Sequence, residues 1–337
     1  GLSSESGAQN TLNAIRIGLL GASRIAPGAV IAPAAEIAGV AVSSVAAREQ
    51  DRAQAFAKEH LIPNFEPDYA ALIASEHVDL VYNGLPPSEH AKWSIAALEA
   101  GKDVLCEKPF AMNAAEAQQM IDVATETGRY LIEAFHYRFH PLFERILEVL
   151  RSGEIGPVTR IESHFNVAIA ANPRELRYHR ELGGGAFMDL GCYPVHWART
   201  IMDAEPTVLS AEADWHESGV DVAMRTELEF PGGISASLES SMSEALPKKR
   251  DAVLTVFGER GVLTAENPVA PHDGHELAVE TAGARRVETV AGKTTYFHQL
   301  QHVVSVLLGD ARPITGGSDA INTMRVLDEV YRQAGRE

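Results

Sequence analysis

The feature that most constrains this chain is a regular alternation of short apolar runs and amphipathic segments through its first 135 residues. Ile15 to Leu20, Val40 to Ala46, Val78 to Tyr82, Val104 to Cys106 and Tyr130 to Phe135 are short and aliphatic, as strands buried on both faces are. Between them, Asp51 to His60, Glu89 to Ala100 and Asn113 to Thr127 carry apolar residues at helical spacing, and Gly101 and Gly128 stand where helices end in a left-handed residue. A βαβα rhythm with such short connections predicts a doubly wound parallel sheet.

The pattern changes after Arg138. A helix is expected from Pro141 to Arg151, a strand from Val158 to Asn166, and a glycine-led helix from Ala186 to Met202. Val208 to Trp215, Met224 to Phe230, Ile234 to Ser240 and Ala252 to Phe257 then read as strands, with a hairpin turn at Pro231-Gly232-Gly233. Helices at Tyr296 to Leu308 and Ser318 to Gln333 close the chain. The fold class expected is α/β: an N-terminal Rossmann-like sheet, then an α+β domain with a large, mostly antiparallel open sheet. A chain of 337 residues exceeds what one core usually holds, in keeping with two domains.

The net charge of −17 argues against a nucleic-acid partner and against an anionic membrane surface. No apolar run is long enough to span a bilayer, and the first fourteen residues lack the basic and apolar regions of a signal peptide. Only Cys106 and Cys192 are present, which excludes a disulfide framework and points to a reducing, cytoplasmic setting.

Gly21-Ala22-Ser23-Arg24-Ile25-Ala26 lies between a strand and a helix start, where a dinucleotide fingerprint belongs. Ser23 and Ala26 replace the second and third glycines, but both are small, so the amides at the helix start can face a phosphate. Pro27 falls in the first helical turns and is expected to shorten that helix. Gly21, Ser23, Arg24 and Ile25 are thus candidate cofactor residues; the alternative is a βα turn that holds no nucleotide. At the end of the second strand, where an acidic residue would bind the ribose of NAD, stand Ala47 and Arg48. An arginine there pairs with a 2′-phosphate, which favours NADP over NAD.

Two segments carry the chemistry. Cys106-Glu107-Lys108-Pro109 ends a strand and sets a lysine at the carboxyl edge of the sheet, in front of a proline whose peptide bond can be cis. Gly183 to Tyr193 reads GGGAFMDLGCY, with Asp189 and Tyr193 at helical spacing and so expected on one face. A tyrosine loses its proton only near pH 10, and a nearby ammonium lowers that value. Lys108, Asp189 and Tyr193 in one pocket could move a proton on and off a hydroxyl group, with Asp189 able to orient the lysine and accept a hydrogen bond from the substrate.

These residues are similar to those of the Gfo/Idh/MocA oxidoreductase family along almost the whole chain. The resemblance lies in Val45-Ala46-Ala47-Arg48 onward, in CEKPFAMNAAEA from Cys106 to Ala117, in EAFHYRFHP from Glu133 to Pro141, and in GGGAFMDLGCY. The branch most resembled holds dimeric dihydrodiol dehydrogenases, NADP-dependent D-xylose dehydrogenases and glucose–fructose oxidoreductase. The resemblance implies a dinucleotide-binding domain over residues 12–137. It implies a substrate-binding and dimerisation domain over 138–337, with the last helices returning to the first domain. It also implies that Tyr193 is the general acid/base with Asp189 as its partner. By the same resemblance Glu107 and Lys108 lie at the cofactor, with Lys108 on the nicotinamide ribose and the substrate, and Asn83, Leu85 and His90 line the adenosine side. Arg138, Asn166, Arg177 and Tyr296 fall near substrate-pocket segments of such proteins. The expected partner is a sugar, polyol or diol, and the expected assembly a homodimer or higher homo-oligomer.

His136 with His140, and His298 with His302, have a spacing that can hold a metal on a helix, but neither pair has an evident third ligand. His272, His275 and Glu276 fall in a loop, and no metal is expected. The leading reading is an NADP(H)-dependent oxidoreductase for a secondary alcohol. Its rivals are a glycosidase that oxidises its sugar transiently through held NAD, and a sugar-sensing regulator without turnover.

Overall fold

The computed structural model describes residues 15–336. The reading that the first fourteen residues hold no signal peptide concerns residues outside the described ones, as do residues 12–14 of the expected first domain and Glu337 of the second. The chain divides into two compact units. The first holds the described residues up to Ala111, Ala115–Phe135 and Tyr296–Ala320; the second holds Met112–Ala114, His136–Thr295 and the chain from Ile321 on.

In the first unit, strands β1 (Ile15–Leu20), β2 (Val40–Ala46), β3 (Asn64–Phe65), β4 (Leu80–Asn83), β5 (Asp103–Glu107) and β6 (Leu131–Ala134) form one sheet. Every pairing is parallel, and the order is β3-β2-β1-β4-β5-β6. That order places the topological switch between β1 and β4, the crevice where such sheets take their ligands. Ile17, Leu19, Val45, Tyr82, Leu105 and Ile132 are buried in the core, joined by Leu300 and Val303 of the late helix Thr295–Leu307. The aliphatic runs are therefore legible because both faces of the sheet are covered.

The second unit holds strands β7 (Val158–Val167), β8 (Thr207–Trp215), β9 (Asp221–Phe230), β10 (Ile234–Ser241), β11 (Arg250–Gly258), β12 (Gly261–Glu266), β13 (Glu276–Thr281) and β14 (Ala284–Glu288). They form an eight-stranded sheet in the order β14-β13-β12-β11-β7-β10-β9-β8. Its neighbours are antiparallel except β7 (Val158–Val167) with β10 (Ile234–Ser241), which run parallel. Between β7 and the next strand, β8 (Thr207–Trp215), the chain makes the excursion that contains the GGGAFMDLGCY segment. The helix Pro141–Arg151 forms for local reasons. Proline starts it where a missing N–H costs nothing, the His140 ring caps it by accepting the Leu142 N–H at 3.0 Å, and Leu142, Phe143, Ile146 and Leu147 bury one face.

The structure adds elements that the sequence pattern does not announce. Helix Tyr69–Ala74 is a single short segment started by Asp68, whose carboxylate accepts the Ala71 N–H at 2.8 Å. Strands β12 (Gly261–Glu266), β13 (Glu276–Thr281) and β14 (Ala284–Glu288) extend the second sheet to its edge. Polar edge strands lack a clean apolar alternation; β14 is tied to β13 by Arg285, whose Nε lies 3.0 Å from Glu280.

Candidate active site

At the carboxyl edge of the first sheet, β1 ends in Gly21, which has φ +96° and donates its N–H to the Ala46 carbonyl at 2.8 Å. A side chain is strained at that φ, so glycine is what lets the backbone turn sharply from strand to helix. Ser23 and Ala26 follow, Ala26 fully buried, and the Ser23 Oγ is a buried atom without a hydrogen-bond partner. Arg24 and Ile25 are exposed. Pro27 does not cut the helix short. It sits at the first helical position and opens a π turn (Pro27–Ile31) that runs on into the α-helix Ala32–Glu36.

Beyond β2, Ala47 is buried and Arg48 exposed. Arg52 donates to the Ala22 carbonyl at 3.1 Å. Burial raises the Tyr69 hydroxyl, and Arg48 and Arg52 pull it the other way.

The loops after β4 and β5 are locked together from inside. Asn83, fully buried, donates to Ser94 Oγ at 3.0 Å and accepts the Leu85 N–H at 3.3 Å. His90 is also fully buried. Its Nε2 lies 2.6 Å from the Leu85 carbonyl oxygen and its Nδ1 2.9 Å from that of Pro109. Burial lowers its pKa to about 4 against the opposing pull of these carbonyls, so it is neutral at physiological pH. Asn83 and His90 therefore sit inside the unit as cross-ties, not on a surface that a cofactor could touch; Leu85 lies at its margin.

Glu107 accepts the Tyr82 hydroxyl at 2.6 Å and the Lys108 N–H at 3.3 Å. Burial, then Glu107, pushes the Tyr82 phenol well up. Lys108 is half-buried and its bond to Pro109 is cis. Tyr296 belongs to this first unit and packs against its core.

Tyr193 and Asp189 belong to the second unit. The expected α-helix from Ala186 begins instead as a π turn, Phe187–Gly191, before the α-helix Cys192–Met202. The Asp189 carboxylate accepts Arg177 Nε at 2.7 Å, and the same guanidinium donates to Glu175 at 3.0 Å. Asp189 holds Arg177 above its ordinary pKa.

The Tyr193 hydroxyl lies 2.7 Å from His136 Nε2, and His136 Nδ1 lies 2.6 Å from Thr295 Oγ1. All three residues are buried, at 4%, 3% and 0% exposure. His136 and His140 do not form a helical metal pair: His136 lies in the 3₁₀ turn His136–Phe139, and His140 caps the helix that follows. Among the described residues, no three His, Cys, Asp or Glu side chains are grouped to hold a metal.

The glycines before this turn are explained by close approach. Gly185 has φ +120°, and a Cβ there would overlap the Asp221 carboxylate. Of the other expected substrate residues, Arg138 is paired with Glu144 and stacks 5.8 Å over Phe143. Phe165 of β7 meets the Tyr193 ring edge-on at 5.3 Å, and alternation along the strand puts Asn166 on the opposite face. The Asn166 Oδ1 is buried without a hydrogen-bond partner. The structure thus joins Arg177 to Asp189 and brings His136 and Thr295 to Tyr193. Nothing in the sequence pairs positions 136 and 295 with 193; the EAFHYRFHP motif marks His136 as worth attention, and its partner stays hidden.

A Rossmann-type sheet with a glycine turn at its switch point, in one chain with a largely antiparallel sheet and a buried tyrosine, defines a two-domain α/β class. Comparison with known proteins makes it specific. Residues 15–135 match an oxidoreductase family with an NAD-binding Rossmann fold, and residues 143–264 match the GFO/IDH/MocA C-terminal domain. The chain is 33% identical to the D-xylose 1-dehydrogenase (NADP(+)) 2 of Haloferax volcanii, across 94% of this chain and 96% of that one. It is 32% identical to the trans-1,2-dihydrobenzene-1,2-diol dehydrogenase of Xenopus tropicalis, across 87% and 90%. A solved aldose-aldose oxidoreductase from Caulobacter crescentus superposes with a TM-score of 0.86 at 26% identity, covering 96% of this chain and 98% of that one. The chain belongs to the GFO/IDH/MocA oxidoreductase family. No helix among the described residues is long and apolar enough to cross a membrane.

Proposed function

We propose that this protein is an NADP(H)-dependent oxidoreductase that moves a hydride between nicotinamide and a secondary alcohol of a sugar, polyol or trans-dihydrodiol. The observation that carries the reading is Tyr193, a buried phenol whose hydroxyl is held 2.7 Å from an imidazole nitrogen. The names of the relatives, a D-xylose dehydrogenase and a dihydrodiol dehydrogenase, support the substrate class.

The first unit fits a dinucleotide phosphate. Gly21 allows the close turn, the partnerless buried Oγ of Ser23 offers a donor, and the exposed Arg48 offers a cation for a 2′-phosphate. Bound nicotinamide supplies the hydride acceptor or donor. Tyr193 takes the hydroxyl proton in oxidation and returns it in reduction. Lys108 holds the substrate oxygen and stabilises the charge that develops there. Asp189, steadied by Arg177, accepts a hydrogen bond from the substrate. A cytoplasmic homodimer belongs to the same proposal; two buried free thiols agree with a reducing compartment.

The test is calorimetric binding of NADPH and NADH to the wild type and to Arg48→Asp, followed by turnover on aldoses, polyols and dihydrodiols. NADPH should bind more tightly than NADH and lose its advantage in the variant. Lys108→Ala and Tyr193→Phe should each lower kcat by about 10²–10⁴-fold with NADPH affinity little changed. Near wild-type turnover in either variant defeats the catalytic assignment.

A further inference from the structure

A phenol is a poor base at neutral pH: with an ordinary pKa of about 10, roughly one tyrosine in a thousand is ionised at pH 7. An imidazole, at about 6.5, is mostly neutral there and ready to take a proton. The second unit joins one to the other. Tyr193 Oη, His136 Nε2 and Nδ1, and Thr295 Oγ1 form an unbroken buried chain with links of 2.7 and 2.6 Å.

We infer that His136 is the proton-relay partner of Tyr193, taking the tyrosine's proton as the tyrosine takes the substrate's and never touching the substrate itself. This rests on the acid/base reading of Tyr193 given above. In the oxidation direction the alcohol O–H bond breaks and its proton bonds to Tyr193 Oη. The Tyr193 O–H bond breaks in turn and that proton bonds to His136 Nε2, leaving an imidazolium. The alcohol's C–H electron pair leaves with its hydrogen as hydride to nicotinamide. Reduction runs the same transfers backward, so no free phenolate is needed in either direction.

The relay fixes a tautomer. For Nε2 to accept the tyrosine's proton, the ring hydrogen must be on Nδ1, and Thr295 Oγ1 is the acceptor placed for it. Thr295 is itself held, since its backbone N–H donates to His272 Nδ1 at 3.2 Å. The other titratable groups around the pair have partners of their own. Tyr137, whose ring lies 6.0 Å from that of Tyr193, has its hydroxyl 2.5 Å from His196 Nδ1. Asp189, on the preceding turn, is paired with Arg177, and β7 presents the apolar Phe165. Burial lowers His272, which keeps it neutral behind Thr295.

The first test needs no substrate. Ring-nitrogen NMR of histidine-labelled protein, with His136→Gln to assign the signals, should show a proton on Nδ1 and a bare Nε2. Tyr193→Phe should shift that Nε2 signal. A proton found on Nε2 overturns the relay, because that nitrogen then has no lone pair to offer. The second test is the pH profile of kcat for oxidation of whichever is turned over, D-xylose or trans-1,2-dihydrobenzene-1,2-diol. His136→Phe should move the inflection up by about 3 pH units, from the imidazole range toward the phenol range, and lower the rate at pH 7 by up to about a thousandfold. A slower enzyme with an unmoved inflection reduces His136 to a packing role. Inactive Tyr193→Phe beside an unchanged His136→Phe removes the relay alone; active Tyr193→Phe removes the acid/base reading beneath it.

Discussion

Asp221 is the buried post on which the turn carrying Asp189 hangs, and replacing it should uncouple that turn from the rest of the second unit. The carboxylate has no exposed surface. One oxygen accepts the Phe187 N–H at 2.8 Å and the other accepts the Tyr331 hydroxyl at 2.8 Å. Tyr331 in turn accepts the Met188 N–H at 3.0 Å. Asp221→Ala strands two buried donors at about 1–3 kcal/mol each, while removing a carboxylate whose own burial is unfavourable. The net loss should be about 2–4 kcal/mol. Asp221→Asn keeps an acceptor for one donor only and should cost about half of that. Burial raises the Asp221 pKa above 3.8, so the folded state holds its proton over a pH range where the unfolded state has lost it. Stability contributed by this group is therefore present below pH 3.8 and is lost as pH rises through the folded value. The Asn variant should lack that slope. Urea unfolding at neutral and acid pH measures both effects. Turnover should fall with the loss of the anchor while NADPH binding, assigned to the first unit, stays. An Ala variant within about 0.5 kcal/mol of wild type would refute the reasoning, since that is the range of substitutions that touch nothing important.

Three further expectations follow from the same geometry. His90→Leu removes the single N–H that the neutral ring can give to the Leu85 or the Pro109 carbonyl and should cost about 1–3 kcal/mol in urea unfolding, with weaker NADPH binding by calorimetry. Tyr82→Phe removes the hydroxyl from Glu107 and should cost about 1–2 kcal/mol; an unchanged unfolding midpoint would deny that bond any role. Arg286 lowers Glu154, and Arg145, then Arg286, lowers Glu288, so their contribution is full above the ordinary value of 4.5 and is lost as pH falls through the folded values. Arg286→Ala should lower the melting temperature most at pH 7 and progressively less as pH falls, which flattens the acid limb of the profile; the loss is small because the pairs are partly exposed and screened.

What the sequence discloses depends on whether a residue's neighbours are near it in the chain or across the fold. Strands β1 to β6 declare themselves, apart from the two-residue β3, because each is a contiguous apolar run with its own stops. The turn at Gly21 and the lysine before Pro109 are local devices too, and both stand where a doubly wound sheet brings its ligands. The π turn at Phe187–Gly191 is different. It is held by Asp221 and Tyr331, thirty-four and more residues away, and no local pattern distinguishes it from the α-helix that its composition suggests. The same distance hides the proposed relay. His136 reads from the sequence as half of a weak metal pair with His140, inside a motif that names no partner for it. Folding gives it to Tyr193, 57 residues on, and to Thr295, 159 residues on. A neutral imidazole has one donor and one acceptor, and the proposed relay gives the first to Thr295 and the second to Tyr193. The chemistry of the second unit turns on that allocation, so the tautomer of His136 decides whether Tyr193 works alone or as the outer member of a pair.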